Sequence, residues 1–182
     1  MNLDLKPGRP LSGPAALALL LTLTALLTLA APPALAAAPI KLAVFDLELY
    51  DTSLEGEMRG RDPAEAARLA QLSELLRDAV AAREDMEPVD TAPLRERLDA
   101  LPALYSCEGC DARLARELGA THSVSGYVSK ISTLILHITL VIRETESGRL
   151  LGHKSVSIRG NTDESWQHGL KYLLKTQILA TK

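Results

Sequence analysis

Cys107 and Cys110 are the only two cysteines of this 182-residue chain, and two residues separate them. A Cys-x-x-Cys pair placed ahead of a helix can perform thiol–disulfide chemistry, because a helix amino terminus stabilises a thiolate. A thioredoxin-like site follows directly on a strand, however, and here residues 102–106 intervene. Haem attachment needs a histidine after the second cysteine, where Asp111 stands. Zinc needs two further ligands at a recognisable spacing, and none is near, so no metal is expected. A structural disulfide is the favoured reading and a redox site the alternative. So short a ring gains little chain entropy, and the bond would mainly fix the local turn and the entry to the following helix.

Asp46, Glu48 and Asp51 form an acidic cluster at the end of a first apolar run. Ligands collect at the carboxyl ends of strands, and paired carboxylates can move protons or hold a cation. Alternation puts Asp46 and Glu48 on one face. No histidine, nucleophile or glycine-rich phosphate loop accompanies them, so a solvated strand end competes with a binding site. Arg159, Asn161, Asp163 and Glu164 form a second candidate binding patch, although helix capping already accounts for Asn161 and the two acids. His122, His137, His153 and His168 are dispersed, and His137 is expected to be a hydrogen-bonded, partly buried imidazole. No Ser/His/Asp set, Walker sequence or dinucleotide fingerprint occurs, so no catalytic residue and no cofactor is expected.

These side chains have to be held by the stretch 118–160. It alternates apolar and polar residues through 122–131, 134–145 and 150–159, with turn chemistry at Ser132-Thr133 and Glu146-Ser147-Gly148-Arg149. The pattern predicts an antiparallel meander. Its middle strand sets Leu134, Leu136, Ile138, Leu140 and Ile142 on one face, and Ile135, His137, Thr139, Val141 and Arg143 on the other. In 41–49 both alternating sets are apolar, which predicts a central strand covered on both faces.

The polar segment 50–61 has neither period and reads as a loop long enough to raise the question of function. Asp62-Pro63-Ala64-Glu65 opens a helix with a capping Asp, Pro at its first position and Glu three residues after the cap. Leu69, Leu72, Leu76, Ala79 and Val80 form its apolar stripe, with Arg68, Glu74, Arg77 and Asp78 facing water. Residues 86–90 predict a short strand that Pro88 confines to an edge. Leu94, Leu98 and Leu101 mark a second helix stopped by Pro102. Asp111 caps a third, with Leu114 and Leu118 inward and Gly119 closing it. Asn161-Thr162-Asp163-Glu164 caps a last helix carrying Trp166, Leu170, Leu173, Leu174 and Ile178. The expected fold class is α/β (α+β): one mixed sheet with a C-terminal three-strand antiparallel meander, packed by amphipathic helices.

At the start of the chain, Lys6 and Arg9 precede an uncharged Leu/Ala/Thr run at 15–30, and Pro32-Pro33-Ala34-Leu35-Ala36 ends in small-x-small. That run is shorter than the roughly 20 residues a spanning helix needs. A cleaved signal peptide at 1–36 is therefore favoured over an uncleaved anchor, with Ala38 as a second cutting point and 37–182 as a single domain. No cysteine lies near the cut, which argues against lipid attachment. The processed chain is expected to be periplasmic, soluble and not membrane-spanning. An exported compartment is oxidising, which favours a bond between Cys107 and Cys110. The net charge is −3 with scattered basic residues and only 3% aromatics, so nucleic acid is excluded as a partner.

Lys41-Leu42-Ala43-Val44-Phe45-Asp46-Leu47-Glu48-Leu49, the Cys-x-Gly-Cys turn, Leu118-Gly119-Ala120, Ser125-Gly126-Tyr127-Val128 and the run from Arg159 to Trp166 together resemble a family of uncharacterised exported proteobacterial proteins, a domain of unknown function. Over nearly all of 37–182 the match carries identity without an assigned activity. A looser similarity, in element order and in Glu117-Leu118-Gly119-Ala120, Ser125-Gly126-Tyr127-Val128 and Glu146-Ser147-Gly148, is to the amino-terminal domain of TolB and to CsgG-like envelope proteins. Such domains bind other envelope proteins. The chain lacks the propeller that follows in TolB and has no pore-forming hairpins. The resemblance and the missing catalytic set imply a non-enzymatic envelope interaction or assembly module with a protein partner. Its expected contact surfaces are the 50–61 loop and an open sheet edge. The alternative is a small thiol–disulfide redox protein using Cys107 and Cys110.

Overall fold

Ile40-Lys41-Leu42-Ala43-Val44 carries apolar side chains on both alternating sets, and in the computed structural model, which describes residues 38–178, it is a strand covered on both faces. This β1 (Ile40–Val44) pairs in parallel with β3 (Met86–Val89) on one side and with β4 (His122–Ser132) on the other. Pro88, which has no N–H to give a ladder, stands in the edge strand β3 as expected. The expected signal peptide at 1–36 lies outside the described residues.

The strand predicted across 41–49 is broken. β2 (Glu48–Asp51) resumes the pairing on β4, with Glu48 opposite Tyr127, whereas β1 ends with Val44 opposite Val124. Phe45, Asp46 and Leu47 therefore oppose only Ser125 and Gly126, and the extra residue makes a bulge. Leu47 donates its N–H to Ser73 Oγ (2.9 Å) instead of to the ladder, and its side chain folds onto β4. Gly126 makes the room: a Cβ there would stand 2.8 Å from Leu47 Cδ2 and 2.5 Å from the Thr139 carbonyl oxygen.

β5 (Ile135–Glu144) and β6 (Leu150–Arg159) complete the meander, and the sheet runs β3-β1-β4-β5-β6 with β2 beside β4. One face is roofed by α2 (Pro63–Ala81) and α5 (Asp163–Leu173). Leu72, Leu76, Val80, Trp166, Leu170 and Leu173 pack there against Leu136, Ile138 and Leu140. Leu134 is the exception in the predicted stripe; it stands exposed in the β4–β5 turn. The other face carries a smaller core in which Leu94, Leu114 and Ala115 meet Ala43, Phe45 and Ala120. Its cover is a 3-10 turn (Ala92–Leu94), α3 (Arg95–Ala100) and α4 (Cys110–Glu117). Among the described residues no helix lies over this face of β6, and Ile135 and Leu150 are exposed there.

Three local readings change. Segment 50–61 is not a loop: α1 (Leu54–Arg59) forms there because Ser53 accepts from the Gly56 N–H (3.1 Å), and its Leu54 and Met58 stay exposed. A helix held by its cap, with no buried face, leaves no apolar period to read. Asp111 is not a cap; Gly109 precedes α4 at φ 72°, and Asp111 lies buried inside the first turn. The cap of α5 is Thr162, which forms a capping box with Ser165, so Asn161 is free for another contact.

Candidate functional site

The three acids of the first cluster do not converge, because the bulge at 45–47 resets the alternation that would have put two of them on one face. Asp46 is exposed and pairs with Arg77 of α2, over the larger core. Glu48 points to the opposite face and accepts the N–H groups of Leu104 (2.9 Å) and Tyr105 (3.1 Å), capping the 3-10 turn Leu104–Ser106 from a distance. Burial raises the Glu48 carboxyl above its ordinary value and outweighs the two amides that lower it. Asp51 turns inward to Lys130.

Lys130 is the side chain that the sequence reading missed. It occupies the core-facing register of β4, after Val124 and Val128, and only 3% of its side chain is exposed. Its Nζ lies 2.6 Å from Glu65 Oε1, 3.2 Å from Asp51 Oδ2 and 3.7 Å from Glu55 Oε2. Glu65, expected to close the capping box of α2, is buried instead and also accepts from Asn161 Nδ2 (2.6 Å). Arg68, expected to face water, donates to Asn161 Oδ1 (3.3 Å) and Asp163 Oδ1 (2.7 Å), with its guanidinium 6.0 Å from the Trp166 ring. Two predicted site residues, Asn161 and Asp163, thus join Asp51 in one network that ties β2, α1, α2, β4 and α5 together. Arg159 and Glu164 are exposed and lie outside it.

Burial lowers the Lys130 pKa, but Glu65 and Asp51 outweigh it and hold the ammonium above its ordinary value. Burial likewise pushes Asp51 up, and Ser53 and Lys130 more than reverse it. A carboxylate with a lowered folded pKa stabilises above the unfolded value and loses that contribution as pH falls through the folded one. Asp51→Asn is therefore expected to destabilise the protein at pH 7 by about 1–3 kcal/mol. The difference from the parent should shrink once the pH drops below about 4. Urea denaturation of both proteins at pH 7 and pH 3 reads this directly.

On the opposite face the cysteines border a second polar cluster. Cys107 and Cys110 have their sulfurs at bonding distance and their Cα atoms 5.6 Å apart. Arg113, one turn into α4, places Nη2 2.9 Å from Cys110 Sγ and 3.8 Å from Cys107 Sγ. Asp111 accepts from Ser123 Oγ (2.9 Å) and Ser125 Oγ (3.2 Å) and faces Arg143 Nε at 3.5 Å. Cys107, Asp111, Tyr127, Arg143, Leu150 and His153 line a cleft of about 300 Å³. Tyr105 also lines it, and the rings of Tyr50, Tyr105 and Tyr127 meet in succession at tilted angles, with centroids 5.2 and 5.4 Å apart. His137 is partly buried and hydrogen-bonded to Ser157 (2.9 Å), as expected. Among the described residues no three His, Cys, Asp or Glu side chains are grouped to hold a metal ion. No helix of the described residues is long and apolar enough to cross a membrane.

Comparison with curated proteins returns no match. Among solved structures the chain is similar to the LpoB C-terminal domain from Salmonella enterica, at 14% identity and a TM-score of 0.46 over 70% of this chain and 87% of that one. It is similar to the lipoprotein GNA1162 from Neisseria meningitidis, at 17% identity and 0.44 over 79% and 99%. TolB from Acinetobacter baumannii also matches, at 13% identity and 0.41 over 78% of this chain and 29% of that one. The model of the family described as "Protein of unknown function (DUF2380)" matches residues 40–178, and the chain belongs to that family.

Proposed function

We propose that this chain is a binding module of the cell envelope that receives an extended, acidic segment of a partner protein along β6. In this reading residues 1–36 are a cleaved export signal and 37–182 a single periplasmic domain. The observation that carries it is the open half of the sheet. β6 pairs with β5 alone, so its outer N–H and C=O groups are without a strand partner among the described residues. Such an edge adds a partner strand readily. The adjoining face offers Ile135, Val141 and Leu150 beside His137, His153 and Arg159. From Leu150 to Arg159 there are His153, Lys154 and Arg159 and no carboxylate, in a chain whose net charge is negative. That local sign favours an acidic partner segment. Leu54 and Met58 of α1 add a separate exposed apolar spot in the 50–61 segment.

A photo-crosslinking residue at Ser157, in cells carrying the full chain, is expected to give a discrete adduct with an envelope protein that the same residue at Asp99 does not give. Reversing charge with Lys154→Glu and Arg159→Glu should reduce that adduct by roughly fivefold. Equal labelling from both positions, or no adduct in any envelope fraction, ends this reading.

A further inference from the structure

The cysteine pair is built asymmetrically. Cys110 is the first residue of α4 and is buried, whereas Cys107 lies in the preceding turn, is only partly buried, and lines the cleft over the sheet. The Arg113 guanidinium is nearly an ångström closer to Cys110 Sγ than to Cys107 Sγ. A cation and a helix amino terminus at the same sulfur both favour its thiolate. The neighbouring acid does not cancel them: Asp111 is turned away to Ser123, Ser125 and Arg143. Glu108 stands exposed in the turn and gives its backbone carbonyl, not its carboxylate, to Arg113 (3.4 Å).

We propose that Cys107–Cys110 is a thiol–disulfide exchange centre whose co-reactant is a protein dithiol, with Arg113 as the residue that positions and stabilises Cys110 as the leaving thiolate. One sulfur of the dithiol, as thiolate, attacks the accessible Cys107 Sγ. The Cys107–Cys110 bond breaks, and its electron pair leaves on Cys110 beside Arg113. The second sulfur of the dithiol, having lost its proton to solvent, then attacks the first and breaks the mixed disulfide. Cys107 departs as a thiolate and takes a proton from water. The dithiol ends as a disulfide, and the pair in this chain ends reduced by the same two electrons. A good leaving thiol speeds such exchange, which is what the position of Arg113 supplies. This goes beyond partner binding at β6 and does not depend on it.

The test uses the full chain without its signal and dithiothreitol as the dithiol. In a Cys107→Ala variant, alkylation of Cys110 is followed against pH. Arg113 is the charged group in contact with its sulfur; Asp111 of α4 is directed to Ser123, Ser125 and Arg143, Glu108 stands in the adjoining turn, and Arg143 and His153 of the sheet line the cleft beside Cys107. The midpoint is expected well below the ordinary thiol value of about 8.5, and Arg113→Gln should raise it by about one unit. In the otherwise native chain, Arg113→Gln should slow reduction by dithiothreitol about threefold, with Arg113→Lys recovering part of the loss. An ordinary midpoint for Cys110, or rates and midpoints indifferent to Arg113→Gln, overturns the proposal and leaves a purely structural bond. Arg113 is exposed, so neither substitution at this position disturbs the core.

Discussion

Lys130→Met is expected to lower the unfolding free energy by about 3–5 kcal/mol, the range for removing one partner of a buried ion pair. The cost is not the loss of attraction alone. Glu65 is 1% exposed, and without Lys130 its carboxylate would keep only the Asn161 amide against a low-dielectric core. One of its oxygens, Oε2, already has no hydrogen-bond partner, so the site has no spare donor to offer. The same reasoning predicts a rescue. Lys130→Met combined with Glu65→Leu replaces both charges by apolar groups of similar volume and should recover most of the loss. Equilibrium urea unfolding of the single and double variants, with slopes compared to confirm a two-state transition, gives the coupling. A single variant within about 1 kcal/mol of the parent would mean that water reaches this pair.

Trp166→Ala should cost about 3–5 kcal/mol, through lost transfer energy and a cavity between α5 and the sheet. The indole is fully buried among α2, α5 and the strands, and Gly169 one turn on lets the helix lie close: a Cβ there would stand 2.5 Å from Ile158 Cγ2. Trp166→Phe should cost much less, under about 2 kcal/mol. It keeps most of the apolar area and removes an indole N–H that has no acceptor. It also weakens the contact with Arg68, which holds Asn161 and Asp163 in the polar network. Thermal unfolding followed by circular dichroism separates the two substitutions.

Much of the fold was legible because its signals are local. Alternation in 122–159 gave the meander to within a few residues, and the placement of Pro88 gave an edge strand. Asp62-Pro63 gave the start of α2. The stripes of α2 and α5 gave the face they bury, and Gly119 closes α4 at φ 77°. The candidate site was less legible. Unbroken alternation would make Asp46 and Glu48 neighbours, and one extra residue at the bulge sends them to opposite faces. Position along the chain makes Asn161 a cap and Arg68 a solvent-facing charge, whereas Thr162 supplies the cap and Arg68 lies over Trp166. Lys130 did leave a sign, a cation at a core-facing position of an otherwise apolar register, and it could have been found there.

The sequence by itself determined the elements, their order and their buried faces, since period, caps and turn residues act over a few positions along the chain. Only the tertiary structure decided which polar groups meet. Lys130 with Glu65, Asp51 with Lys130, Asn161 with Arg68, and Asp111 with Ser123 and Arg143 are pairs drawn from distant parts of the chain. A buried charge must find a partner in space, and spacing along the sequence does not encode that partner.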